Sequence, residues 1–133
     1  MTRLGIGLTA LACALASASL EAHHSTRNIY DHDREIVAAG KVVEWRFINP
    51  HPYLIVEAEA DDGTLRQWDV SYGGAAVVHL KRLGYTAETF KPGDVIIVRG
   101  RPALAEGVYG VLVQGVHPTW QDGTPVVEGG SMF

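Results

Sequence analysis

The residues best suited to chemistry crowd the start of the chain. In "EAHHSTRNIYDHD", residues 21–33, two adjacent histidines follow an apolar run, and His32 stands between Asp31 and Asp33. If the chain is cut just ahead of them, His23 and His24 meet a free α-amine. Amine, backbone amide and imidazole nitrogens can then lie in one plane, the tetragonal arrangement that copper(II) and nickel(II) prefer. The cut decides the geometry. Cleavage after Glu21 makes His24 the third residue, so that one chain end can wrap a metal; cleavage after Ala22 makes His23 the first, with its amine and ring as a chelating pair. His51, held between Pro50 and Pro52, is the candidate for a further ligand, because prolines stiffen the loop that carries it. His32 is an auxiliary ligand, and the oxygens of Asp31 and Asp33 make zinc the alternative to copper. The competing reading is structural: a frayed polar start, and a turn in which His51 bonds a carbonyl.

The aromatic residues suggest a different kind of site. Trp45, Phe47, Tyr53, Trp68 and Tyr72 fall on the first strands, where they could stack on an organic ligand. Trp45 and Trp68 share a face with valines on their own strands, which favours core packing, whereas Tyr53 lies on the face opposite Leu54 and is the better surface candidate. Ser71 in "DVSYGG" faintly resembles a nucleophile elbow, but Asp69 replaces the first glycine and no acid and histidine follow in frame. A hydrolase around Ser71 is therefore a distant third reading, and no enzyme activity is expected.

These side chains need a scaffold, and the hydropathy pattern supplies one. "EIVAAGKVVEWRFI" alternates with a period of two, Val43, Trp45 and Phe47 against Val42, Glu44 and Arg46, and Gly40 marks an expected bulge or bend. "NPHP" ends that strand. "YLIVEAEA" and "LRQWDVSY", joined by "DDG", read as a hairpin with Leu54, Val56 and Ala58 on one face. "AAVVHLKRLG" changes to helical spacing and stops at Gly84. "VIIVRG" and "GVYGVLVQGV" are two further strands. Three strands, a short helix and two strands are the order of a five-stranded OB-like barrel, a mainly β fold that binds ligands across strands two and three. The rival is an open sandwich with one covering helix.

Composition narrows the partners. The 133 residues suit one domain, 47% are apolar and 20% charged, and the net charge is −4. No broad basic surface is available for phosphates, so a nucleic-acid partner is not expected. Residues 1–22 have the layout of a secretory signal peptide: a short positive start, an apolar run too short to span a membrane, and small residues at Ala16, Ala18 and Ala22. Its removal takes away Cys13, the one cysteine, and leaves a periplasmic or secreted protein with no membrane segment. Residues 23–117 are then the barrel, and residues 118–133, rich in glycine, proline and polar groups, a loosely held tail.

"AHHS" at 22–25, "GKVVEW" at 40–45, "NPH" at 49–51, Trp68, "LKRLGYTAETFKPGD" at 80–94 and "VIIVRG" at 95–100 together resemble a family of small exported bacterial proteins classed only as a domain of unknown function. The likeness runs from about Ala22 to Val116. It implies export and one small β-rich domain, marks the "HHS" and "NPH" positions as family-typical, and implies no activity. A start at His23 would also resemble the histidine brace of copper-binding exported proteins, although no other motif of those families is present. The expected role is a non-catalytic binding module whose partner is a metal ion, a small ligand or another periplasmic protein. The intact mass of protein recovered from the periplasm should correspond to a chain starting at Ala22 or His23; a start at residue 17 or 19 would detach the histidines from the α-amine.

Overall fold

A computed structural model describes residues 26–131; the expected signal peptide and His23 and His24 lie outside the described residues. A short 3-10 turn, Thr26–Asn28, leads into β1 (Ile36–Arg46), β2 (Tyr53–Glu59), β3 (Leu65–Ser71), a helix α1 (Val77–Arg82), β4 (Val95–Pro102), β5 (Gly110–Leu112) and β6 (Thr119–Trp120). The strands follow the order β1-β2-β3-β5-β4, and β1 pairs back onto β4 to close the ring. All of these neighbours are antiparallel except β3 and β5, which run parallel through Asp69–Gly110, Val70–Val111 and Ser71–Leu112. With the helix between β3 and β4, this is the OB-like barrel that the element order predicts.

Closure depends on β1 serving two neighbours. Its first half, Ile36 to Lys41, pairs with β4, and the stretch from Gly40 onward pairs with β2. At Gly40 both ladders meet, opposite Ala58 on one side and Ile96 on the other. A Cβ there would overlap the carbonyl oxygen of Glu57, so only glycine lets β2 come this close. Gly40 is thus the bend, but the bulge falls three residues later. The register with β2 slips between Val42 and Glu44, leaving Val43 as the extra residue. The slip exchanges the two faces. Ala38 and Val42 point inward before it, Trp45 and Phe47 pack against the core after it, and Val43 is left exposed. Val43 and Trp45, expected on one side of a regular strand, therefore have different environments.

Leu54, Val56 and Ala58 of β2, Val70 of β3, Ile96 and Val98 of β4 and Val111 of β5 fill the interior. The helix closes one end with Val77 and Leu80. It stops where predicted: Gly84 has φ of 100°, its N–H bonds the Lys81 carbonyl, and the Tyr85 N–H bonds the Leu80 carbonyl, the paired capping pattern that needs a left-handed residue. The cap turns the chain sharply, and the Tyr85 ring enters the core at 0% exposure.

The segment after His117 is not loosely held within the described residues. Thr119 and Trp120 pair with Ile97 and Ile96 of β4, Pro118 is fully buried, and Val127 joins the core. Turn-rich composition hides a strap: residues 118–126 fold back on themselves, with Trp120 N–H to the Thr124 carbonyl and Val126 N–H to the Pro118 carbonyl. The glycines serve packing as well as flexibility, since a Cβ at Gly129 would overlap the Leu83 carbonyl. Gly40→Ala should lower unfolding free energy by about 3 kcal/mol or more, measured by urea denaturation, because the clash is with paired backbone that cannot yield.

Candidate functional site

The first two ladders place a row of side chains on the outside of the barrel. Along β3, Trp68 and Val70 face inward, so Asp69 and Ser71 face outward. On β2, Tyr53 faces out where Leu54 faces in, and Ile55 is paired with Asp69 across the ladder. The loop before β2, residues 47–52, carries a cis Asn49–Pro50 peptide and exposed His51. On the other flank the segment before β1 lies over β5: Tyr30 bridges to Ala103, and its ring comes so close to Gly110 that an added Cβ would lie 3.7 Å from it. A cleft of about 300 Å³ opens between these flanks, bordered by Tyr30, His51, Tyr53, Asp69 and Ser71.

Three residues singled out in the sequence, His51, Tyr53 and Ser71, therefore meet at one place. They are not wired together. The Ser71 hydroxyl accepts the Gly73 N–H at 3.3 Å, and no hydrogen bond joins it to His51 or Asp69 among the described residues. Asp69 is exposed, yet its partial burial in the cleft raises its carboxyl from its ordinary value. Desolvation is the sole cause: no donor or cation sits on that carboxylate among the described residues.

The remaining candidates lie elsewhere. His32 shares a 3.1 Å hydrogen bond with the Thr26 hydroxyl through Nε2, while the Asp31 carboxylate accepts the Asp33 N–H. Among the described residues no three histidine, cysteine, aspartate or glutamate side chains converge as metal ligands. Trp45 sits in an aromatic cluster, with ring centroids 5.2 Å from Phe90 and 5.5 Å from Phe47, and its indole N–H donates to the Thr86 carbonyl at 2.9 Å. Trp68 stacks edge-on against Tyr109 at 5.3 Å and donates to the Ala58 carbonyl. Both indoles are committed to packing, so neither borders the cleft.

Two groups escape a reading of the sequence. Tyr30 gives no periodic signal, because its place depends on a bridge to Ala103 near the other end of the fold. The second is a partly buried polar chain. Tyr85 OH lies 3.0 Å from His117 Nδ1, and His117 Nε2 is 3.0 and 2.7 Å from the Gly129 and Gly130 carbonyls. Carbonyls only accept, so Nε2 carries the proton and Nδ1 accepts from the tyrosine. Beside it the Tyr72 hydroxyl is buried without a hydrogen-bond partner among the described residues.

The topology and this cleft define the class: a closed OB-like barrel with an open cleft on the outer face of β2 and β3, lined by aromatic and polar groups. The model of a family described as "Family of unknown function (DUF6152)" matches residues 10–111, and the chain belongs to that family. No curated protein and no solved structure matches it.

Burial pushes the Tyr72 hydroxyl well above its ordinary value of 10.0, with neighbouring Tyr85 adding to the shift, and burial raises Tyr85 likewise. Unfolded, both ionise near 10; folded, both keep their protons. Their contribution is therefore intact below about pH 10 and declines above it, by about 1.4 kcal/mol per pH unit for each tyrosine. Urea midpoints should fall steeply above about pH 10, and Tyr72→Phe should flatten that slope.

Proposed function

We propose that this chain is an exported, non-catalytic binding module that holds a small ligand in the β2–β3 cleft. The observation that carries the reading is the convergence of Tyr30, the His51–Tyr53 stretch and Ser71 of β3, from three separate segments, around one opening on the face that OB barrels use for ligands. Export rests on the signal-peptide layout of residues 1–22, and a periplasmic setting follows from it. Aromatic walls supply contact area, and the hydroxyls of Tyr30, Tyr53 and Ser71 supply orientation, the usual division of labour in a small-molecule site.

One observation favours copper or zinc as a second reading. Thr26, two residues after His24, borders a hollow of about 160 Å³ that shares Tyr72 with the cleft. His32, hydrogen-bonded to the Thr26 hydroxyl, is the auxiliary donor. In this reading the mature α-amine, His23 or His24, and His51 share one ion.

Native mass spectrometry and copper titration of the mature protein separate the two. A metal site built on His51 requires one bound copper and at least a roughly tenfold weaker affinity in His51→Ala. Unchanged copper affinity in that variant removes His51 from any metal site and leaves the cleft to organic ligands.

A further inference from the structure

We propose that the β2–β3 cleft selects small organic cations, with the Asp69 carboxylate as counter-ion and the Tyr30 and Tyr53 rings as the walls against which the cation's apolar part packs. This deepens the binding-module reading and rests on it.

Asp69 lacks the partner that its position ordinarily brings. A carboxylate on the outer face of a sheet commonly meets a lysine or arginine on a neighbouring strand, where opposite charges support the pairing. Here the neighbours on that face are Gln67 and Ser71 along β3, Ile55 across on β2 and Gly110 across on β5. None is positive. No ion pair or side-chain hydrogen bond reaches the carboxylate among the described residues. The neighbouring hollow, which also borders Tyr53, differs in this respect, because its Glu44 and Arg46 pair with each other and cancel. Asp69 thus gives the cleft one uncompensated negative charge, in partly desolvated surroundings that strengthen its attraction for a cation.

The walls fit the same ligand. Tyrosine rings carry negative electrostatic potential on their faces and attract alkylammonium groups. Tyr30 and Tyr53 flank the cleft from opposite sides, Tyr30 pressed down over side-chain-free Gly110 and Tyr53 at the start of β2. An anion would face Asp69 with no countering lysine or arginine among the residues bordering the cleft. A neutral molecule would gain nothing from the carboxylate's charge, and a bare divalent ion would find no three converging ligands among the described residues.

Isothermal titration of the full mature chain with 2-phenylethylammonium, tetramethylammonium and neutral 2-phenylethanol tests the assignment, with amide chemical shifts at Gly74 and Ala75, which also border the cleft, locating the site. The expected result is shifts at those amides and binding of both cations roughly tenfold or more tighter than the alcohol, a preference that Asp69→Asn abolishes. Asp69→Asn should fold as well as the parent, because it removes an unpaired, partly desolvated charge. Tyr53→Leu should weaken both cations and keep their order. If the alcohol binds at the same amides as tightly as the amines, and Asp69→Asn changes nothing, the charge assignment is overturned while the cleft stands. If no probe shifts those amides, the cleft reading fails with it.

Discussion

Closing so small a sheet on itself obliges one strand to be hydrogen-bonded on both edges, and β1 meets that obligation at Gly40. There the backbone faces Ala58 of β2 and Ile96 of β4 together, and the Glu57 carbonyl occupies the space that any side chain would take. Beyond Gly40 the strand has turned, and the bulge at Val43 rotates the last residues of β1 by half a pleat. Trp45 and Phe47 are thereby delivered to the interior. The same turn sets where β2 begins, which leaves Tyr53 outside and His51 at the rim. The position of the cleft is thus a consequence of how the barrel closes.

Much of this architecture is legible in the sequence because it rests on local rules. Period-two alternation in "YLIVEAEA" marks the inward face of β2, and Gly84 marks the end of the helix by being the residue that tolerates a left-handed backbone. The bulge is not legible. Nothing in "KVVEW" distinguishes Val42 from Val43, since the slip is decided by two strands that must each stay paired through a bend. The C-terminal strap is hidden for a related reason: its glycines and prolines have the composition of a loose end, yet Gly129 is required by its approach to Leu83 and Pro118 by burial.

The site divides along the same line. His51, Tyr53 and Ser71 stand out as residue types on recognisable elements, and the fold brings them together. Asp69 is visible in the sequence only as a departure from a hydrolase motif; its importance comes from the absence of positive neighbours, which depends on strand register. Trp45 and Trp68, prominent by type, are consumed by packing and by hydrogen bonds to backbone carbonyls. Chemical prominence of a side chain and its availability to a ligand are separate properties, and only the second depends on the fold.

The link from Tyr85 through His117 to the Gly129 and Gly130 carbonyls bears on where this domain ends. The family match stops at residue 111, within β5, one residue before Leu112 completes that strand. The strap, β6 and the histidine latch all lie beyond it. The matched segment and the segment that shields Tyr85 and Ile96 in this chain are consequently different lengths. A fragment of this chain trimmed to residues 10–111 would expose Tyr85 and Ile96, the floor of its own core.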